Sequence, residues 1–178
     1  MAKEHISKIY TIGHSTRSEE EFLGLLRDAG VTCLVDVRRH AGSRKFPQFN
    51  PGPLEKALNA SGIAYCPMVE LGGRRKVHEH STNTAWRNAS FQGYADYMET
   101  ADFDAAYASL VARAEKECVA LMCAEAVWWR CHRSMIADRL KAEGWTVCHI
   151  LGPGQIKEHP YTSPARVVDG NVVYSPET

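Results

Sequence analysis

Two continuous apolar runs constrain the fold of this chain more than any other feature. Residues 32–38, TCLVDVR, and residues 119–125, VALMCAE, are apolar over several consecutive positions and then end in charged residues. A strand with one solvated face alternates apolar and polar residues, so an unbroken run predicts a strand covered on both faces, as in a parallel sheet. Three more segments predict strands, at 8–13, 63–68 and 146–151.

Helix signals lie between these strands. Ser18 followed by Glu21 is a capping-box pattern, and the apolar spacing after it predicts a helix that stops at Gly30. Apolar periodicity predicts three further helices. They cover 53–60, the segment from Tyr94 to Glu117 with a break near Asp102, and 133–143.

The alternation of strands and helices predicts the fold class. Right-handed strand–helix–strand units give a mainly parallel sheet, here of about five strands with helices on both faces, in a Rossmann-like three-layer α/β arrangement. The dipeptide Asp169-Gly170 predicts a small C-terminal hairpin. A chain of 178 residues has the size of one ordinary domain, so a single domain is expected over 1–178.

Composition narrows the class of protein further. The formal net charge is zero, so no global field draws the chain to nucleic acid or to a membrane, and any attraction of anions must be local. The N-terminus lacks the apolar core of a signal peptide, and no stretch reaches the roughly 18 apolar residues of a membrane span. A cytoplasmic protein with six reduced cysteines, no membrane partner and no cofactor is therefore expected.

Chemically active side chains follow the predicted strands. In parallel sheets, binding sites lie beyond the carboxyl ends of the strands. The residues at those ends are His14 and Ser15 after the first strand, Asp36, Arg38 and Arg39 at the second, and Cys123 and Glu125 at the fourth.

The segment 123–133, CAEAVWWRCHR, carries the strongest functional signal. Cys123 ends a strand, and Cys131, His132 and Arg133 open a helix. The free N–H groups and positive dipole end of a helix favour an anion, and Arg130, His132 and Arg133 would add charged donors. A thiol in such surroundings has a lowered pKa, as a nucleophilic cysteine requires. Cys123 and Cys131 are therefore candidate catalytic residues, unless Cys123 simply packs in the core.

A metal site is a second interpretation of the same segment. Cys123, Cys131 and His132 could supply three ligands, with a fourth from His14 or Cys66. The spacing differs from that of closed zinc sites, which pair cysteines two to four residues apart. No metal is therefore assigned.

Paired carboxylates are a third interpretation. Asp36 and Glu125 end two strands that would be neighbours in the sheet, and two acids at a pocket mouth can perform general acid–base catalysis. The competing interpretation is an ion pair with Arg38, Arg39 or Arg133.

A basic and aromatic group of residues suggests phosphate or base binding. Ser43 and Arg44 are suited to phosphate, while Arg74 and Trp86 would add charge and a stacking surface. The alternative is a solvated loop plugged by Phe46 and Phe49. Four histidines are predicted at the surface: His5, His78, His80 and His159.

Several of these motifs together resemble the bacterial and archaeal family named domain of unknown function 488. The matching stretches are TIGHSTR at 11–17, DVRRHAGSRKFPQFN at 36–50, ELGGRR at 70–75, NTAWRNASFQGYADYM at 83–98, MCAEAVWWRCHRSMIADRL at 122–140 and HILGPGQIKEH at 149–159. One departure is Ala41, where the resemblance leads us to expect proline. The resemblance implies an α/β fold with a site around Cys123 and Cys131, and it implies no reaction.

A looser likeness connects two segments with rhodanese-like domains. LVDVR at 34–38 is similar to their strand ending in Asp-x-Arg, and the strand–Cys–loop–helix order at 119–143 is similar to their active-site loop. The loop here is longer and lacks their glycines, so sulfur transfer is an analogy only.

Three functional hypotheses follow from the residues. The first is an enzyme that acts on a phosphate-bearing, nucleotide or nucleic-acid substrate. The second is a binding module for nucleic acid or a nucleotide without turnover. The third is a protein that binds a metal through cysteine and histidine. Partners under the first two would be an anionic small molecule or nucleic acid.

Overall fold

The computed structural model describes residues 7–177, which contain eight strands and five α-helices. The strands are β1 Lys8–Gly13, β2 Cys33–Asp36, β3 Ala64–Pro67, β4 Val119–Cys123, β5 Thr146–Gly152, β6 Gln155–Glu158, β7 Arg166–Val168 and β8 Asn171–Val173. The helices are α1 Glu19–Asp28, α2 Pro51–Ala60, α3 Ala89–Tyr97, α4 Ala101–Ala114 and α5 Arg133–Ala142.

Six of the strands form one sheet in the order β3-β2-β4-β1-β5-β6. The first five are parallel to their neighbours, which confirms the predicted parallel sheet. The sixth, β6, pairs with β5 in the antiparallel direction at the edge. Its residues are all exposed, so it has no apolar run, and the sequence analysis did not include it.

Helices cover both faces of this sheet, as predicted. Leu34 faces α1 and α2, together with Phe22 and Leu58. The next residue, Val35, points to the opposite face and packs in a second core with α4 and α5. Successive residues of a strand point to opposite faces, so both faces of an unbroken apolar strand are buried.

The capping pattern at α1 forms as the sequence indicates. The Glu21 backbone N–H donates to Ser18 Oγ at 3.1 Å, and the first turn is acidic. A side-chain oxygen at this position satisfies a free helix N–H, and acidic residues suit the positive end of the helix. Gly30 then ends the helix at φ +75°.

The largest difference between the predicted and observed element bounds concerns the helical segment predicted from Tyr94. The helix predicted from Tyr94 begins earlier, at Ala89, where the Asn88 side chain accepts the N–H groups of Ser90 and Phe91. Its break lies at 98–100, because Thr100 caps the next helix, α4.

The predicted C-terminal hairpin is also present. β7 and β8 pair in the antiparallel direction, and Asp169 and Gly170 in the turn have φ angles of +52° and +80°. A two-residue turn with two positive φ angles matches the twist of the strands. No helix within 7–177 is long and apolar enough to cross a membrane.

Candidate functional site

The loop that follows Cys123 lies across the end of β1. The N–H groups of His14 and Ser15 donate to the carbonyls of Cys123 and Ala124, at 2.9 and 3.0 Å. A Cβ atom at Gly13 would lie 1.6 Å from the Glu125 carbonyl oxygen, so only glycine permits this close approach. The two sequence motifs are therefore held together by backbone contacts.

Cys123 and Cys131 lie at the base of a cavity of about 260 Å³. The two residues are 3 % and 5 % exposed. The remaining lining includes six residues named by the sequence analysis: Arg38, Arg39, Arg74, Glu125, Arg130 and His132. The structure thus brings the cysteines and most of the predicted arginines to one place.

Arg133 lies beneath these cysteines and is completely buried. Its Nη1 donates to Cys123 Sγ and, at 2.7 Å, to the Glu125 carbonyl. None of the ion pairs found within 7–177 joins Arg133 to a carboxylate. A buried charge without a counter-charge is strongly unfavourable, so a thiolate beside it would supply the compensating negative charge.

Of the two sulfurs, Cys131 is in the better position to carry this negative charge. The Arg133 backbone N–H, the first of helix α5, donates to Cys131 Sγ at 3.4 Å. Burial raises the pKa of Cys131, but the hydrogen bond with Cys123 and the charge of Arg133 outweigh it, so the pKa is lowered overall. Burial and the neighbouring Cys131 raise the pKa of Cys123. Both pKa shifts are consistent with a thiolate at Cys131 and a thiol at Cys123.

His132 presents one of its ring nitrogens to Cys131. Its Nε2 lies 3.0 Å from the Val37 carbonyl, which can only accept, so Nε2 carries the proton. Its Nδ1 lies 3.5 Å from Cys131 Sγ and is left with a lone pair toward the thiol. Burial lowers the pKa of His132, which keeps the imidazole neutral. The Cys131 sulfur, the His132 ring and the carbonyl that orients this ring thus follow one another.

Asp36 lies outside the cavity lining, in a buried ion pair with Arg38. Two nitrogens of Arg38 donate to the two carboxylate oxygens at 2.9 and 2.8 Å, and Tyr65 donates its hydroxyl at 2.6 Å. The ion pair considered as an alternative in the sequence analysis is therefore present. Glu125 is exposed at the rim of the cavity and does not share a pocket with Asp36.

Five other predicted site residues do not line this cavity: His14, Ser15, Ser43, Arg44 and Trp86. His14 stacks on Phe49, with ring centroids 4.5 Å apart. The Ser43 hydroxyl accepts two backbone N–H groups of its own loop. Trp86 packs on Phe91.

Four buried polar side chains behind Arg133 were not identified from the sequence: Thr11, Asp138, His149 and His159. Thr11 Oγ1 accepts from Arg133 Nε at 3.2 Å and lies 2.5 Å from His149 Nδ1. His149 Nε2 lies 2.8 Å from His159 Nδ1, and His159 Nε2 lies 2.8 Å from Asp138 Oδ1. One sequence feature could have indicated them: His149 lies within the apolar run TVCHIL. A histidine in a buried strand requires buried hydrogen-bond partners.

The surface prediction for His159 is wrong. The residue is 1 % exposed, because the Asp138 carboxylate and the His149 ring satisfy both of its nitrogens in the interior. His78 and His80 are exposed as predicted. His5 lies outside the described residues.

His149 predicts a loss of stability in acid. Burial, followed by the nearby charges, lowers its pKa from 6.5 to about 2, so the folded protein keeps it neutral. The unfolded chain takes up a proton below pH 6.5, and each pH unit below that value lowers the free energy of unfolding by about 1.4 kcal/mol. Urea unfolding at pH 7, 6 and 5 measures this slope. A His149→Asn variant with an unchanged slope would contradict the assignment.

The metal hypothesis finds no support in the described part of the chain. Within 7–177, no group of three or more His, Cys, Asp or Glu side chains is arranged to hold a metal ion.

Comparison with known proteins gives one match. A family model described as Domain of unknown function DUF488 matches residues 18–140. That span begins at the cap of α1, ends within α5 and includes both cavity cysteines. No curated protein and no solved structure matches the chain.

Proposed function

The chain belongs to the DUF488 family, whose description names no activity, and from the geometry of its site we propose that it is an enzyme with Cys131 as nucleophile and a phosphate-bearing substrate. Nucleotides and nucleic acids fall within this class. The observation that carries the proposal is the buried Arg133, which contacts both cavity cysteines and has no carboxylate partner within 7–177.

Three exposed arginines at the rim support an anionic substrate: Arg39, Arg74 and Arg130. Arg39 donates to the Arg74 carbonyl at 2.7 Å, so the two chain segments that supply these charges are joined. Guanidinium groups bind phosphate through paired hydrogen bonds. Arg38 is already paired with Asp36, so its charge is largely compensated. Phe91 lines the same cavity and is partly exposed, so its ring offers an aromatic surface for a base or ring of the substrate.

The residues at the base of the cavity then have distinct roles. The Cys131 thiolate forms a bond to the electrophilic centre of the substrate while the bond to the leaving group breaks. The leaving group takes its proton from solvent, because neither the thiolate nor Nδ1 of the neutral His132 holds one. Water then cleaves the bond between substrate and sulfur, Glu125 at the rim removes a proton from that water, and the Cys131 thiolate is released.

Alkylation tests the thiolate without knowledge of the substrate. Iodoacetamide is expected to label Cys131 at pH 7 at least about tenfold faster than Cys118, because only the thiolate reacts and burial raises the pKa of Cys118. Peptide mass spectrometry measures both rates in one sample. Inorganic phosphate should slow the labelling of Cys131, and less so in an Arg74→Ala variant. Equal rates at the two cysteines would contradict the proposal.

Turnover tests the nucleophile. A panel of p-nitrophenyl phosphate, ATP and a single-stranded oligonucleotide provides the three substrate classes. Cys131→Ser should lower turnover by about a thousandfold or more, since a serine hydroxyl is a far weaker nucleophile than a thiolate. Cys118→Ser is the matched control and should leave turnover unchanged. Full activity in Cys131→Ser would exclude this residue as the nucleophile.

Binding without turnover is a second candidate, favoured by one observation. Trp129 is 54 % exposed and adjoins the exposed Arg130, and an aromatic ring next to a cation suits the stacking of a single-stranded base. Quenching of tryptophan fluorescence by an oligonucleotide at low salt, lost in Trp129→Ala, would support it. Oligonucleotide turnover that depends on Cys131 would favour the enzyme instead.

A further inference from the structure

The buried polar side chains behind the cavity form a continuous chain from Arg133 to Asp138. We propose that Asp138, His159, His149 and Thr11 are positioning residues, which hold the Arg133 guanidinium against Cys123 Sγ, next to the Cys131 sulfur that accepts the backbone N–H of the same arginine. This inference rests on the proposed function, because it gives these residues a role only if the thiolate is used. None of them lines the cavity, so none contacts a substrate there.

The four residues come from four separate parts of the fold. Thr11 lies on β1, His149 on β5 and Asp138 on α5, while His159 follows β6. Each is at most 1 % exposed. Buried polar groups are costly unless fully hydrogen-bonded, so a connected set of this length is not expected from packing alone.

The Asp138 carboxylate fixes the direction of the hydrogen bonds at one end. It accepts the Thr162 backbone N–H at 2.9 Å, the Thr162 hydroxyl at 2.5 Å and the Tyr174 hydroxyl at 2.8 Å. An ionised carboxylate only accepts, so His159 must present a proton on Nε2. Its Nδ1 is then an acceptor, and His149 must donate from Nε2.

The same direction continues to Arg133. With its proton on Nε2, the neutral His149 accepts the Thr11 hydroxyl proton at Nδ1. Thr11 Oγ1 therefore keeps a lone pair for Arg133 Nε. Every hydrogen bond between the guanidinium and Asp138 is satisfied in a single direction, with a positive group at one end and a negative group at the other.

Trp128 packs against both histidines of this chain. Its ring stacks on His149, with centroids 4.7 Å apart and planes at 4°. The bond from Thr11 orients Arg133 Nε, and because the guanidinium is planar this also fixes where Nη1 lies, against Cys123 Sγ and the Glu125 carbonyl. Second-layer hydrogen bonds that orient a charged group in this way determine the chemistry of the group that it contacts.

Substitutions at Thr11 test the chain at its junction with Arg133. Thr11→Val has nearly the same shape but lacks the hydroxyl, whereas Thr11→Ser retains it. The rate of iodoacetamide labelling at Cys131, followed from pH 5 to pH 9 by peptide mass spectrometry, gives the thiolate titration. Thr11→Val should label about tenfold more slowly at pH 7, equivalent to one pKa unit, and Thr11→Ser should match the wild type.

The far end of the chain is tested with a matched pair at Asp138. Asp138→Asn removes the charge that sets the direction of the bonds and should slow labelling to a similar extent. Tyr174→Phe removes one donor to the same carboxylate but no bond of the chain, so it should lower stability and leave the labelling profile unchanged. The titratable groups that face Cys131 are Cys123, His132, Arg133 and Tyr94, and all remain in these variants.

The outcomes separate this inference from the proposed function. A fast-labelling wild type with an equally fast Thr11→Val variant would overturn the positioning role and leave the proposed enzyme intact. An ordinary labelling rate in the wild type itself would overturn both. If Asp138→Asn does not fold, the comparison of Thr11→Val with Thr11→Ser still decides.

Discussion

Replacement of Arg133 by methionine is expected to abolish the reactivity of Cys131. Methionine fills a similar volume but removes the guanidinium that donates to Cys123 Sγ and whose charge lowers the pKa of Cys131. The nearby charge and the charged donor disappear together, and the resulting rise in thiol pKa should slow iodoacetamide labelling at pH 7 by about a hundredfold. The acceptors on Thr11 and on the Glu125 carbonyl lose their donor, so stability should also fall by about 3 kcal/mol.

Two controls separate charge from geometry in this experiment. Arg133→Lys keeps the charge but has no planar fork, so it should recover only part of the labelling rate. Arg139→Met, on the same helix, removes a partly exposed arginine that pairs with Asp104 and should leave the rate unchanged. Wild-type labelling in Arg133→Met would show that Arg133 does not set the state of the thiol.

Asp36→Asn is expected to destabilise the fold more than any change at the cavity rim. The substitution removes one charge of a buried pair, and the guanidinium of Arg38 is left without compensation in the interior. Loss of one partner from a buried ion pair costs about 3–5 kcal/mol. The Tyr65 hydroxyl also loses a charged acceptor. Urea unfolding at pH 7 measures the effect.

The matched control for this prediction is Asp104→Asn. Asp104 pairs with Arg139 at 2.9 Å, but its side chain is 57 % exposed, so the change should stay within about 1 kcal/mol. Similar effects for the two substitutions would mean that the Asp36–Arg38 pair contributes no more than a surface pair. Asp36 would then again be a candidate for chemistry at the sheet edge.

The strands of the sheet could be predicted where burial requires a run of apolar residues. TCLVDVR and VALMCAE form interior strands of the sheet, each paired on both sides, and residues covered on both faces must be apolar. The edge strand β6 is exposed along its length and pairs with β5 on one side, so its sequence shows no run of apolar residues. The early start of α3 depends on a single capping side chain, Asn88, rather than on a period of apolar residues.

The candidate site was predictable in its location but not in its pairings. The carboxyl ends of β2 and β4 were expected to carry it, and Cys123, Cys131 and the rim arginines do share one cavity. The sequence offered both an ion pair of Asp36 with an arginine and a pair of acids with Glu125, and the choice of Arg38 as partner depends on side-chain conformations that no spacing records. The contact of Thr11 with His149 joins residues 138 positions apart, a separation at which local pattern gives no information.

The position of β1 in the sheet has a consequence for how the protein is made. β1 lies between β4 and β5, so both of its partners belong to the second half of the chain. During translation β1 is synthesised before both strands with which it pairs. Its hydrogen bonds with β4 and β5 can be completed only after the residues up to 150 have been synthesised. Exposed apolar strands without partners are prone to aggregate, so the nascent chain is most exposed to aggregation during this interval.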